Sequence, residues 1–145
     1  MAAVSNGPKG LNGFLQPLLR RSERSTLQLV NERTGALVAT RLEAAFDSAT
    51  RKRGLLGREG LAEGDALVIA PCCAVHTWFM TFPIDIVFAA RDGRVVNVRS
   101  SVDAWRLAFG WRAFATIELP AGMAARADVR IGDCLALGVA PSAAR

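Results

Sequence analysis

Two apolar runs joined by a short polar turn constrain the fold of this chain more than any other stretch. Residues 84–90 are apolar apart from Asp85, and residues 94–98 are rich in valine. The turn between them contains Asp92-Gly93, and an Asp-Gly pair flanked by apolar runs is a strong short-range signal for a β-hairpin. We therefore predict an antiparallel strand pair here and a fold built on β-sheet.

Six further short runs have the composition of strands. They are rich in β-branched or aromatic residues, or they alternate apolar with other side chains, and turn-forming residues separate them. These runs are residues 26–30, 36–40, 42–46, 66–70, 114–119 and 134–139. With the first pair they predict about eight short strands.

Two short helices fit between these strands. Asp47 or Ser48 can accept a hydrogen bond from a free backbone N–H at the start of a helix over residues 49–56, and Gly54 can end that helix. Residues 121–127 can form a brief second helix. The pattern indicates a mainly β (α+β) fold, either a compact, curled, mostly antiparallel sheet or a barrel-like sandwich with one or two short helices.

The chain has the length and composition of one domain. It has 145 residues, of which 51% are hydrophobic and 21% charged, and a chain of that length buries roughly two thirds of its unfolded surface. We expect a flexible leader at residues 1–24, the β-rich domain at residues 25–139 and a disordered tail at residues 140–145. Residues 100–113 show no clean period, so we predict a loop that lies over the functional site.

Charge and cysteine content restrict the partners and the compartment. The net charge is +5, and part of the excess lies in a cluster of Arg51, Lys52, Arg53 and Arg58. No nucleic-acid-binding motif accompanies it, and no apolar run approaches the roughly 20 residues that span a membrane, so we expect neither partner. The three cysteines are too few for a disulfide framework, and no secretion signal is apparent, which predicts a cytoplasmic protein.

The chemically reactive side chains are concentrated in residues 71–88. This stretch contains the one histidine of the chain, His76. If the chain is extended here, His76, Trp78 and Met80 share one face of a strand and Thr77 lies on the other. We therefore expect the functional site to be built around this segment.

Asp85 allows two interpretations. A bend after the predicted strand could return the chain so that Asp85 meets His76, and such a pair could perform acid–base catalysis. Alternatively, Asp85 is a buried carboxylate that pairs with Arg53 or Arg58, because a buried acid requires a partner. The sequence leaves both open.

Metal binding is a separate possibility. Cys72, Cys73, His76 and Met80 are soft or borderline donors within nine residues, and such ligands suit Cu(I) or zinc. Adjacent cysteines in an extended segment point to opposite faces, which makes them poor chelators. Packing of the thiols in the core is the simpler interpretation.

Three groups of residues together resemble the domain-of-unknown-function family numbered 192. They are Arg53-Gly-Leu-Leu-Gly-Arg58; His76-Thr-Trp-Phe-Met80 with Phe82-Pro-Ile-Asp85-Ile-Val-Phe88 and Asp92-Gly-Arg-Val-Val96; and Ile117-Glu-Leu-Pro-Ala-Gly122 with Ile131-Gly-Asp133. The resemblance covers roughly residues 27–137. It implies a compact β-rich fold and no particular activity.

Three functional hypotheses follow. The first is a binding or accessory module, without a cofactor, whose pocket holds a small anionic ligand. The second is a hydrolase-like enzyme that uses His76 and Asp85 as an acid–base pair, and the third is a Cu(I) or zinc handling protein that uses Cys72, Cys73, His76 and Met80. The ligand-binding residues of the first hypothesis are Arg53, Arg58, His76, Thr77, Trp78, Met80 and Asp85.

Overall fold

A computed structural model describes residues 13–19 and 27–140. Within these residues the chain forms ten strands, two short α-helices and a 3-10 helix at Gln16–Leu19. The strands are β1 (Leu27–Asn31), β2 (Leu37–Ala39), β3 (Arg41–Ala45), β4 (Asp65–Ile69), β5 (Ala74–His76), β6 (Ile84–Ala89), β7 (Val95–Val102), β8 (Leu107–Phe109), β9 (Ala115–Pro120) and β10 (Leu135–Val139). The helices are α1 (Ser48–Arg53) and α2 (Met123–Arg126).

The strands form one large and two small sheets. The central sheet has five strands in the order β3-β4-β9-β6-β7, and all its neighbours are antiparallel except β3 and β4. A second sheet has the order β10-β1-β2, and β5 pairs with β8 as a two-stranded ribbon. The predicted mainly β, mostly antiparallel fold is confirmed, and it takes the form of a compact sandwich of open sheets.

Both faces of the central sheet are covered by apolar side chains. One face packs on the three-stranded sheet, with Val87 and Ile117 meeting Leu29 in one core cluster. The other face, which includes Ile86, packs beneath the β5–β8 ribbon and the segment after α1 in a second cluster. Strands β6 and β9 are therefore buried along nearly their whole length. A polar side chain on either strand points into the protein interior.

The predicted hairpin at residues 84–98 is confirmed. Strands β6 and β7 pair antiparallel, and the Ala90 amide donates to the carbonyl of Arg94 across the turn. Gly93 has a φ of +90°, and a Cβ there would collide with the carbonyl oxygen of Leu135. Glycine is therefore required at this turn both for its backbone conformation and for space.

Other local predictions are also confirmed. Residues 26–40 contain the antiparallel β1–β2 pair. The carboxylate of Asp47 accepts the Thr50 amide at 2.8 Å and caps α1, which ends at Gly54. The predicted second helix is present as α2.

Two predictions around the site segment are wrong. The chain is not extended through residues 76–80, because Phe79 has a φ of +64° and the Met80 amide donates to the Thr77 carbonyl. Residues 100–113 are not a simple loop, because they contain the end of β7 and all of β8. Leu107 and Phe109 of β8 point outward and Ala108 points inward, which is the reverse of the usual hydrophobic pattern of a strand.

Some predictions concern residues that the structure does not describe. The proposed leader at residues 1–24 and the tail at residues 140–145 lie largely outside the described residues. Within the described part of the leader, Leu15 and Leu18 are fully buried in the first core cluster. Among the described residues, no helix is long and apolar enough to cross a membrane.

Candidate functional site

An open cavity of 410 Å³ lies between α1, β5 and the central sheet. We call it the α1–β5 cavity. It opens on the face of the central sheet that bears the second core cluster, so its apolar walls include Leu55, Ile69, Val75 and Met80. The volume lies within the range of small-molecule sites, roughly 300 to 1,000 Å³.

The last turn of α1 places three basic side chains at the rim of this cavity. Arg51, Lys52 and Arg53 all line it. The Arg51 guanidinium donates to the Phe46 carbonyl at 2.9 Å, so it is partly committed to the protein. The side chains of Lys52 and Arg53 are both exposed, with no hydrogen bond or ion pair to any described residue, which leaves their positive charges available to a ligand.

Glu118 is the one carboxylate among the residues that line the α1–β5 cavity. It lies on β9, the middle strand of the central sheet, opposite Leu67 of β4 and Ile86 of β6. Its exposed fraction is 4%, and its Oε2 atom has no hydrogen-bond partner among the described residues. Burial between apolar neighbours raises the pKa of Glu118 from 4.5 to about 7, although the charge of Arg58 opposes this shift. A neutral carboxylic acid is therefore well populated at this position near neutral pH.

His76 and Cys72 also line the cavity. His76 is exposed at the end of β5, and its ring stacks on Trp78 with 4.7 Å between the ring centroids. The Cys72 thiol lies 3.2 Å from the Ala74 carbonyl oxygen and donates to it. Neither side chain is buried, so both can contact a molecule in the cavity.

Asp85 is not part of this site, and the predicted pair with His76 does not form. Asp85 is fully buried, and its two carboxylate oxygens accept the backbone amides of Ser101 and Ala124, each at 2.8 Å. It alternates along β6 with Ile84 and Ile86, which face the cavity side of the sheet, so its side chain points to the opposite face. The alternative partners Arg53 and Arg58 are not used either, and Asp85 instead ties β7 and α2 to β6.

Three further predicted site residues lie outside the α1–β5 cavity. Arg58 forms a two-pronged ion pair with Glu43 at 2.7 and 2.8 Å. The Thr77 hydroxyl donates to the Asp103 carbonyl at 2.6 Å and accepts the Arg106 amide at 2.9 Å, so it fixes the ribbon end. Trp78 is exposed beside the cavity and does not line it.

Three of the four residues proposed as metal ligands lie at the same cavity. Cys72, His76 and Met80 line the α1–β5 cavity, whereas Cys73 is exposed and does not. Among residues 13–19 and 27–140, no group of three or more histidine, cysteine, aspartate or glutamate side chains is arranged to hold a metal ion. The sulfur of Met80 would have to supply part of any such site.

Sequence reasoning missed Glu118 as a site residue. Its strand was predicted within residues 114–119, and in the structure Glu118 pairs with Leu67 of β4. Its side chain lies on the face of β9 that the second core cluster covers, so both faces of this strand are buried. No local sequence signal identifies Glu118, because its burial depends on what packs against β9 from distant parts of the chain.

The fold and the cavity define a small, mainly β domain with a polar and apolar cavity on one face of its central sheet. The match to a family model over residues 29–137 places it further: the chain belongs to the family DUF192, described as "Uncharacterized ACR". The resemblance noted from the sequence motifs is thus confirmed. A comparison with curated proteins gives no match.

Two crystal structures share the fold. One is a protein of unknown function from Novosphingobium aromaticivorans, with 24% identity and a TM-score of 0.63, covering 76% of this chain and 82% of that one. The other is a protein from Sinorhizobium meliloti described as a candidate transcription regulator, with 21% identity and a TM-score of 0.64, covering 75% of this chain and 89% of that one. At these identities the similarity establishes the fold alone.

Proposed function

We propose that this protein is a binding module for a small anionic ligand that occupies the α1–β5 cavity. The observation that carries the proposal is that Lys52, Arg53 and the Glu118 Oε2 atom line the same cavity, and that none of the three has a hydrogen-bond partner among the described residues. Positive charge at the mouth of a low-dielectric cavity attracts anions. A buried polar atom without a partner is costly in the empty protein, so a ligand that bonds to it gains affinity.

The basic rim contacts the anionic group. Arg53 offers a planar guanidinium that can bind a carboxylate, sulfonate or phosphate through two hydrogen bonds, and Lys52 adds a second charge. Arg51 contributes mainly through its field, because its guanidinium already donates to Phe46 and Ser48. His76 can supply one further hydrogen bond at the opposite rim.

Glu118 sets the pH range of binding. Below a pH of about 7 its carboxyl is mostly protonated and can donate a hydrogen bond to an oxygen of the ligand. Above that pH it is a carboxylate, which repels an anion in the same cavity. Affinity therefore falls as the pH rises through about 7.

The apolar walls favour an anion that also carries a hydrocarbon part. Leu55, Ile69, Val75 and Met80 offer apolar contact that an inorganic ion cannot use. We therefore expect an aryl or alkyl anion to bind more tightly than inorganic phosphate, by about tenfold for a buried area of one small ring.

The test is an amide NMR titration of the full chain with benzenesulfonate, whose charge stays constant across neutral pH. We expect shifts confined to α1, β5 and the neighbourhood of Glu118, and a loss of affinity of about tenfold when Lys52→Gln and Arg53→Gln are combined. Arg126→Gln is the control, because Arg126 is exposed on α2, does not line the cavity, and has among the described residues a 3.8 Å ion pair to Glu63. Shifts elsewhere, or equal losses in the control, would refute the proposal.

The cysteines bear on the location of the protein and on the alternative of metal handling. Cys72, Cys73 and Cys134 are all free thiols, which supports a reducing, cytoplasmic location. The alternative of Cu(I) or zinc handling through Cys72, Cys73, His76 and Met80 is tested by the metal content of protein purified without chelator. Less than about a tenth of an equivalent would end it.

A hydrolase that depends on a His76–Asp85 pair has no support in the geometry. The carboxylate oxygens of Asp85 are taken up by backbone amides on the other face of the sheet. Any acid–base chemistry in the α1–β5 cavity would have to use His76 with Glu118.

A further inference from the structure

Six large apolar side chains are exposed around the β5–β8 ribbon, next to the α1–β5 cavity but outside it. Their exposed fractions run from 45% to 77%. Together they expose roughly 700 Å², given about 200 Å² for a full aromatic side chain, which exceeds the largest apolar patch of an ordinary monomer. We call this surface the aromatic face; it consists of Trp78, Phe79, Trp105, Leu107, Phe109 and Trp111.

The aromatic face is continuous. Trp78 stacks on His76, which is the cross-strand partner of Leu107. Leu107 in turn lines one shallow groove with Phe109 and Trp111. At the other end, the rings of Phe79 and Trp105 meet edge to face at 4.8 Å between centroids.

The backbone holds these side chains outward. Ala108 fills the inward position of β8, so Leu107 and Phe109 must face solvent. Phe79 and Trp105 have φ values of +64° and +63°, a region that bulky residues rarely adopt. Non-glycine residues in this region often mark functional sites, where the surrounding structure maintains an unfavourable conformation.

Exposed arginines accompany the aromatic face. Arg99 lines the groove with Trp111, and Arg106 and Arg112 are exposed beside Trp105 and Trp111 in the chain. Asp103 is the exposed acid within this stretch. The charge complementary to this surface is negative, so a twofold contact with a second copy of the chain would bring like charges together.

We propose that the aromatic face docks onto an anionic lipid bilayer. Tryptophan, phenylalanine and leucine side chains partition into the interface of a bilayer, where arginines beside them meet anionic headgroups. Single-stranded nucleic acid also uses aromatic and arginine side chains, but it requires rings with free faces. Here three of the five rings are already paired, Trp78 with His76 and Phe79 with Trp105. The aliphatic Leu107 lies between them and Phe109 on the surface.

Intrinsic fluorescence tests this proposal directly. All three tryptophans of the chain, Trp78, Trp105 and Trp111, lie on the aromatic face, and the chain contains no tyrosine. The full chain is mixed with vesicles of phosphatidylcholine alone or with added phosphatidylglycerol, and emission and co-sedimentation are measured. We expect a blue shift and sedimentation with the anionic vesicles, and binding weaker by about tenfold or more on the neutral ones.

Two variants and two controls separate the contributions. Leu107→Ser with Phe109→Ser removes apolar contact without touching a tryptophan, and Arg99→Gln with Arg106→Gln removes charge; each should weaken binding by about tenfold. Ile131→Ser is the apolar control, because Ile131 is 67% exposed and Leu107 66%. Arg126→Gln is the charge control. All variants alter exposed residues, and unchanged thermal unfolding confirms that they fold.

Four results would overturn the proposal. Absence of binding to anionic vesicles is the first, and equal binding to neutral vesicles is the second. Binding of a thymidine oligonucleotide without vesicle binding would assign the face to nucleic acid. A dimer in sedimentation velocity that Leu107→Ser with Phe109→Ser dissociates, again without vesicle binding, would assign it to a second copy of the chain.

Discussion

Replacing Glu118 by glutamine should make the protein more stable at alkaline pH. The two side chains have nearly the same shape, but glutamine cannot ionise. Glu118 lies on the middle strand of the central sheet between apolar neighbours, and its Oε2 atom has no partner among the described residues. An ionised carboxylate in that position loses most of its hydration without an equivalent gain.

The magnitude follows from the pKa. Burial raises the pKa of Glu118 from 4.5 to about 7 in the folded protein, whereas the unfolded chain ionises near the ordinary value. Between these two pH values the folded state holds one more proton than the unfolded state, so the free energy of unfolding falls as the pH rises. Above a pH of about 7 the free energy of unfolding is lower by about 3 kcal/mol in total. Each unit by which the pKa of Glu118 differs between the folded and unfolded states contributes about 1.36 kcal/mol. In Glu118→Gln this dependence of the free energy of unfolding on pH should disappear.

The assay is urea unfolding of both proteins at about pH 5 and about pH 8. We expect the variant to match the wild type within about 1 kcal/mol at the lower pH and to exceed it by about 3 kcal/mol at the higher one. Glu59→Gln is the matched control, because Glu59 is exposed and has no hydrogen bond or ion pair to any described residue. A wild type whose stability does not fall over this range would show that the reasoning about Glu118 is wrong.

Three further substitutions test the supporting structure by urea unfolding. Asp85→Asn should cost about 2–3 kcal/mol, because an amide group cannot accept from both backbone amides that the carboxylate binds; a cost below about 0.5 kcal/mol would contradict this role. Gly110→Ala should cost about 1–3 kcal/mol, since its Cβ would lie 2.5 Å from a side-chain atom of Phe88, and a neutral result would mean that the backbone yields easily. Asp47→Ala should cost about 1 kcal/mol through loss of the α1 cap, and an unchanged midpoint would count against that cap.

The local elements were predictable because their signals are local. The turn at Asp92-Gly93 and the cap at Asp47 depend on residues only two or three positions away, and both appear as expected. Residues 107–109 were not predictable as a strand, since their large apolar side chains face solvent and only Ala108 faces the core. Hydrophobic pattern predicts a strand only where the apolar side is the buried side.

The candidate site was predicted only in part, because the surroundings of some of its residues depend on distant parts of the chain. Arg53, His76 and Met80 do line one cavity, because α1 and the segment after β4 pack on the same face of the central sheet. The role of Asp85 was misjudged, since the face on which a residue of β6 lies depends on strand register, which fixes alternate residues to opposite faces. Glu118 was missed because nothing local shows that both faces of β9 are covered.

Binding of small anions in the α1–β5 cavity under the control of Glu118 is the function we propose. The most direct measurement is the affinity for benzenesulfonate at about pH 5.5 and about pH 8.5, in the wild type and in Glu118→Gln. We expect the affinity of the wild type to fall about tenfold or more over this range, because the carboxylate then repels the anion, and the affinity of Glu118→Gln to fall much less, since His76 is then the remaining pH-sensitive side chain in the cavity. No binding at millimolar concentration, or the same pH dependence in both proteins, would contradict it.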